Sequence, residues 1–235
     1  MPDKPPIVLV LLPGMDGTGL MFEPFLAVLR GFEPLVVRYP PELTSYPDCV
    51  AFARQQLPVD RPFLLLGESF SGPVALALAA ERPAGLQGLV LCVTFARNPR
   101  PRLAWLAPLL RLLPPRRLPL PLLGRLLLGG HATATLAALV GRMLPLVPTA
   151  TLKQRLLAVV AVDHTALLDR VQVPILALRA GQDRLVPKAA TDWVNAHRPI
   201  DIVTLEGPHW LLQTRPEACL QALQAFVQRN GNPSE

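Results

Sequence analysis

Ser69 stands where a hydroxyl can be made reactive. The run Phe63-Leu64-Leu65-Leu66 is continuously apolar and ends in Gly67. It turns at once through Glu68-Ser69-Phe70-Ser71 and passes into Gly72-Pro73-Val74-Ala75-Leu76-Ala77-Leu78-Ala79-Ala80. A sharp strand-to-helix turn holds its serine in a strained backbone, so the residues two before and two after it must be small. Gly67 and Ser71 meet that need, and the helix N-terminus behind Ser69 adds partial positive charge that favours a developing oxyanion. A serine hydroxyl is a poor nucleophile until a base takes its proton. Of the four histidines, His131 and His164 fall within residues 97–168, where the alternation of strand and helix patterns is broken, and His197 near a helix end, which suits structural or exposed roles. His209 lies in Leu205-Glu206-Gly207-Pro208-His209-Trp210, beyond the last strand pattern and before the last helix pattern. It is the candidate general base.

An imidazole base needs a carboxylate to hold its tautomer and stabilise the imidazolium. Asp183 follows the strand pattern Ile175 to Ala180 in a glycine-containing turn, whereas Asp163 and Asp192 follow no strand. A fourth element, Pro13-Gly14-Met15-Asp16-Gly17-Thr18-Gly19, comes directly after the first apolar run. Its three glycines leave amides free to face a ligand. It lacks the Gly-Lys-Ser/Thr of a phosphate loop and the spacing of a dinucleotide fingerprint. The better reading is an oxyanion loop, with the amides of Met15 and Phe70 as the paired donors and Gly14 against the substrate. One such donor contributes about 3 kcal/mol to the transition state.

These residues need a frame that brings them to one edge. Ile7 to Leu12, Leu35 to Arg38, Phe63 to Leu66, Leu89 to Val93, Ile175 to Ala180 and Asp201 to Leu205 read as strands, several apolar throughout, as strands covered on both faces are. Helical patterns lie between them at Phe22 to Arg30, Pro47 to Gln56, Ser71 to Ala80, Ala189 to Ala196 and Pro216 to Gln228. This alternation predicts an α/β fold with a mostly parallel sheet and helices on both faces. Residues 97–168 break it with leucine- and alanine-rich helical pieces cut by proline. That is too long for an ordinary loop, and predicts a helical lid inserted into a core of residues 1–96 and 169–235.

Composition narrows the class. Of 235 residues 51% are hydrophobic and 17% charged, which excludes a disordered chain. The leucine-rich stretch Leu103 to Leu128 is interrupted by four arginines and five prolines, so it makes no spanning helix. The N-terminus lacks the pattern of a secretory signal. Three cysteines, Cys49, Cys92 and Cys219, have no metal-like spacing; a reducing, cytoplasmic setting with no metal and no cofactor is expected. Charge is uneven. The net +6 arises because Arg82 to Val162 holds eleven bases and no acid, against 12 bases and 17 acids elsewhere. Such a basic third hints at an acidic partner or surface, and nothing resembles a nucleic-acid motif.

The four motifs, in this order, resemble those of the α/β-hydrolase superfamily over essentially the whole chain. The resemblance rests on Pro13 to Gly19, Gly67-Glu68-Ser69-Phe70-Ser71-Gly72, Gly181-Gln182-Asp183-Arg184-Leu185-Val186-Pro187 and Pro208-His209. The order Ser69, Asp183, His209 is the one expected for that fold. Two positions depart from the usual pattern: Pro13 replaces the histidine of the His-Gly pair, and Ser71 replaces the elbow's second glycine. At motif level the chain also resembles phytyl ester synthase-type acyltransferases. It starts directly with the strand before the oxyanion loop, like a compact form without two leading antiparallel strands.

The resemblance implies a serine carboxylesterase with Ser69 as nucleophile, Asp183 and His209 as partners, and an acyl-enzyme. The lid offers Leu103, Trp105, Leu106, Leu109, Leu110, Leu112, Leu113, Leu126 and Leu127 as an apolar acyl pocket for short to medium chains, and Trp210 flanks the base. The alternative expectation is a methyl esterase or thioesterase, similar to the carrier-protein methyl esterase of biotin synthesis, that docks an acidic acyl carrier protein on Arg97, Arg100, Arg102, Arg111, Arg116, Arg117 and Arg125. An acyltransferase, a peripheral lipase on an anionic membrane surface and a non-catalytic binding protein of this fold rank below it.

Overall fold

The computed structural model describes residues 6–112, 114 and 127–231. Side chains alternate across a strand, and β1 (Ile7–Leu12) does so without a polar residue. Val8, Val10 and Leu12 pack into one core layer, while Leu9 and Leu11 pack into the other. β3 (Phe63–Glu68) and β5 (Ile175–Ala180) are buried almost throughout, as is β4 (Leu86–Cys92). The outer strands, β2 (Phe32–Val36) and β6 (Asp201–Leu205), are half exposed. All six run parallel in the order β2-β1-β3-β4-β5-β6. β2 begins three residues earlier than its apolar residues suggest. It tolerates Pro34 because an edge strand can leave one ladder position without an N–H donor.

Helices cover both faces. α2 (Tyr46–Arg54), α3 (Gly72–Ala80) and α7 (Lys188–His197) lie over one core layer. α1 (Glu23–Val28) and α8 (Pro216–Gly231) lie over the other. α3 has eight of its nine residues buried, which explains its alanine-rich composition: it sits flat under the sheet with no solvent face.

From β1 the chain moves to one side of the sheet and returns to the other with β3, so strand order reverses between these two neighbours. Such a reversal opens a crevice at the carboxyl ends of the strands. Register places the crevice at the glycine loop and the serine turn, because Leu12 pairs with Gly67.

The segment between β4 and β5 leaves and returns at one point. Arg97 and Asp163 form an isolated antiparallel bridge, with Asn98 N–H donating to Val162 and His164 N–H to Ala96, both at 2.9 Å. Between them lie α4 (Ala107–Leu112), α5 (Ala134–Met143) and α6 (Thr149–Ala161). Thr133 caps α5 by accepting from the Leu136 amide. Among the described residues no single helix is long and apolar enough to cross a membrane. The pair Ala134–Leu146 and Thr149–Ala161 reaches that length only with a 96° bend, and it buries Arg155 completely.

Candidate active site

Ser69 has φ of +50°, a left-handed backbone rare for a residue with a side chain. Two tight contacts hold the turn. A Cβ on Gly67 would come within 2.6 Å of the Ser71 carbonyl oxygen and 2.8 Å of the Ala75 methyl, so only glycine fits. The Thr94 hydroxyl donates to the Ser69 carbonyl from the far side.

His209 reaches this serine from the loop after β6. Its Nε2 lies 2.8 Å from Ser69 Oγ and its Nδ1 2.8 Å from Asp183 Oδ2. The side chains of His209 and Asp183 are only 2% and 4% exposed. Asp183 accepts backbone N–H bonds from Leu185 and Val186 on its other oxygen, at 2.8 and 2.9 Å. Asp183 therefore faces Nδ1 as an acceptor, and that nitrogen carries the proton. Nε2 is left to accept from the serine hydroxyl. The loops carrying Asp183 and His209 are tied together, Gly181 N–H to Leu205 and Gln182 N–H to Gly207, at 2.8 and 2.9 Å. The remaining histidines lie elsewhere: His131 on Gln182, His164 on the Pro73 carbonyl and His197 on the Trp193 carbonyl. Asp192 pairs with Arg179, and Asp163 accepts from Thr165.

The glycine loop lies against the serine. A Cβ on Gly14 would stand 4.0 Å from that of Ser69 and 3.8 Å from Glu68 Oε2. Two departures from a glycine-and-histidine pattern turn out to cooperate. Ser71 donates to the Pro13 carbonyl, and since its one proton is then used, Tyr39 donates to Ser71 Oγ at 3.1 Å. Burial raises the Tyr39 phenol far above its ordinary range, which keeps that donor protonated. The serine that replaces the second glycine thus clamps the loop to the elbow.

Arg155, from α6, is a residue that motif reading passed over. It is fully buried and donates to the carbonyls of Met15 (2.9 Å), Pro40 (3.2 Å) and Leu43 (2.8 and 3.0 Å). A buried cation needs such saturation to be tolerated. Holding the Met15 carbonyl orients the neighbouring peptide of the loop. A cation on the apolar face shared by Leu152 and Val159 was the available signal. Glu68 is the second omission. Burial lifts its carboxyl to about 7, opposed by hydrogen bonds from Gln213 Nε2 at 2.9 Å and from the Gly14 amide.

Two cavities, of about 340 and 350 Å³, open at Ser69. The first is lined by Gly14, Asp16, Met21, Glu68, Leu127, Val140, Met143, Leu144, Leu152 and Trp210. The second is lined by Phe70, Phe95, Asn98, Pro99, Arg100, Leu103, Leu110, Leu156, Val159, Val160 and Val186. Gly14 and Trp210 therefore stand in the first chamber. Trp105 does not line either: it is 74% exposed, because the 3-10 turn of Pro101–Leu106 faces it outward. Leu109 and Leu112 are exposed as well. The side chain of Leu106 lies outside the described residues, as do Leu113, Leu126, Arg116, Arg117 and Arg125. Of the other basic side chains, Arg97 stacks over Trp193 at 4.1 Å. Arg100 donates to the carbonyls of Arg184 and Leu185. Arg102 and Arg111 are exposed.

The fold has many relatives of known structure. A lipase-esterase related protein from Clostridium acetobutylicum superposes with a TM-score of 0.79 at 14% identity, over 95% of this chain and 96% of that one. An esterase from Exiguobacterium antarcticum gives 0.78 at 17%, over 94% and 92%. The enol-lactonase from Burkholderia xenovorans gives 0.69 at 18%, over 97% and 94%. No curated protein matches the sequence significantly. The family model described as the alpha/beta hydrolase family matches residues 9–222. With that match across nearly its whole length, the chain belongs to the alpha/beta hydrolase family.

Proposed function

We propose that this hydrolase is a serine carboxylesterase acting on esters of short to medium acyl chains. The observation that carries the reading is the relay Asp183–His209–Ser69, 2.8 Å at each step, at the mouth of apolar cavities. Ser69 Oγ attacks the ester carbonyl while His209 Nε2 takes its proton, and Asp183 steadies the resulting imidazolium. The amides of Met15 and Phe70 receive the oxyanion. His209 then protonates the departing alcohol, leaving an acyl-serine. Water, deprotonated by His209, attacks that ester, and the carboxylic acid leaves as Ser69 regains its proton. Three unpaired, buried thiols support a reducing compartment. Hydrolysis of p-nitrophenyl esters from acetate to palmitate tests the reading. Turnover by the wild type with a chain-length optimum, lost in Ser69→Ala, is the expected result. No turnover at any length overturns it.

The exposed Arg102 and Arg111, on a segment without acids, favour a second reading: a methyl esterase or thioesterase whose acyl group arrives on an acidic carrier protein. Charge reversal at both arginines abolishes binding of an acyl carrier protein if that holds, and leaves hydrolysis of free esters intact.

A further inference from the structure

The two cavities share four lining residues, Met15, Ser69, Leu185 and His209, so the nucleophile stands at their junction rather than at the end of either. One helix roofs both. α6 gives Leu152 to the first chamber and Leu156, Val159 and Val160 to the second. Arg155, between these residues, is fastened to the Met15 carbonyl and keeps the roof in register with the nucleophile. An ester carbonyl held at Ser69 has two substituents that diverge, the acyl chain and the alkoxy group. Two chambers that diverge from the same atom match that geometry.

Resting on the esterase reading above, we infer that the substrate is an ester with no acidic group and an apolar arm on each side of the carbonyl, one arm in each chamber. Each chamber is lined mainly by apolar side chains and alone is in the size range of a whole small-ligand site. A small polar alcohol would leave one of them empty. Charge argues against an acidic arm. Asp16 and Glu68 place carboxyl groups in the wall of the first chamber. In the second, the guanidinium of Arg100 is occupied by the carbonyls of Arg184 and Leu185. An anionic arm would meet carboxyls in one chamber and no available counter-charge among the described residues of the other.

The test is kcat/KM for a matrix of simple alkyl esters, acyl groups from acetyl to octanoyl crossed with alcohols from methanol to octanol. Lengthening either arm with the other held short raises kcat/KM, by up to about fourfold per buried methylene, and the gains multiply when both arms are long. Val140→Trp, in the first chamber, suppresses the gain along one arm, and Val160→Trp, in the second, along the other. The readout for each variant is its ratio between long-acyl and long-alcohol esters, in which any general loss of folded enzyme cancels. A gain along one arm only in the wild type, or both substitutions acting on the same arm, overturns the two-arm substrate. p-Nitrophenyl acetate separates this failure from failure of the esterase reading. Its hydrolysis by the wild type, lost in Ser69→Ala, leaves esterase chemistry standing when the matrix shows one arm; its absence removes both.

Discussion

At the carboxyl edge of the sheet, Ser69, Asp183 and His209 hang from β3, β5 and β6 and are held by backbone hydrogen bonds and tight glycine contacts. The segment between β4 and β5 is built differently. It leaves Trp105, Leu109 and Leu112 in solvent and, as far as Val162, carries cations without acids. Yet that segment is not merely laid over the edge: α6 sends Arg155 into the interior to hold the glycine loop, and the Trp210 amide donates back to Leu127 at 3.2 Å. The contrast separates two tasks. On the proposed reading, reacting groups need positions set within fractions of an ångström, and the cross-tied ends of parallel strands supply them. Substrate selection, on the same reading, needs apolar volume, which proline-broken helices provide once buried cations, Arg155 on the glycine loop and Lys153 on the Arg111 carbonyl, fix their register.

The sharpest way to break this division is at the edge itself. Ser69→Ala lowers kcat by on the order of 10⁴-fold or more while thermal unfolding changes little, because the relay acts as a unit. Ser69→Gly is equally inactive and more stable by about 1 kcal/mol, since glycine relieves the positive φ; chemical denaturation measures the difference. If Ser69→Ala retains activity, the chemistry does not belong to the strand edge.

Arg155→Met probes the coupling between the regions. It leaves the carbonyls of Met15, Pro40 and Leu43 without their donor, and costs about 3 kcal/mol of stability. A lower kcat on short esters, measured at a temperature where the variant is folded, shows that the insertion positions the oxyanion loop. Unchanged kcat removes that role.

Glu68 tests how far burial governs the edge. Its carboxyl stands near 7 when folded, against an ordinary 4.5. Below pH 4.5 both folded and unfolded chains keep the proton and no penalty exists. As pH rises the unfolded chain loses its proton first, so stability falls between 4.5 and about 7 and the penalty is complete above that. Glu68→Gln escapes it. Its stability relative to the wild type therefore rises by on the order of 3 kcal/mol between pH 4 and pH 8, read as the difference in denaturation midpoints at several pH values. A pH-independent difference contradicts the buried, titrating carboxyl.

The smallest effect is expected at Trp105. It is exposed, so Trp105→Ala shifts stability by less than about 0.5 kcal/mol and leaves kcat/KM for short esters unchanged. A large loss on either measure would mean that the outward face of the insertion takes part in catalysis.

Much of this was readable in the chain. Strands covered on both faces are mostly apolar, and a strained serine turn demands small neighbours, so β1, β3, β5 and the elbow announce themselves by local composition. Asp183 could be preferred to Asp163 and Asp192 because it alone follows a strand, and in a parallel sheet all strand ends that follow one another come to the same edge. β2 was displaced by a few residues because Pro34 is a strand breaker anywhere but at a sheet edge, and edge position is a property of the whole sheet.

Other features depended on which elements meet. Ser71 is only a small residue until Tyr39 and the carbonyl of Pro13 are beside it. Arg155 is only a basic residue in a helix until three loop carbonyls converge on it, and Trp105 is only an aromatic near the site until its turn faces solvent. The two chambers belong to no segment at all. Local sequence sets backbone preference and strand character, because those act over a few residues. Burial, pairing and volume are sums over elements distant in the chain, and only the tertiary structure brings these together.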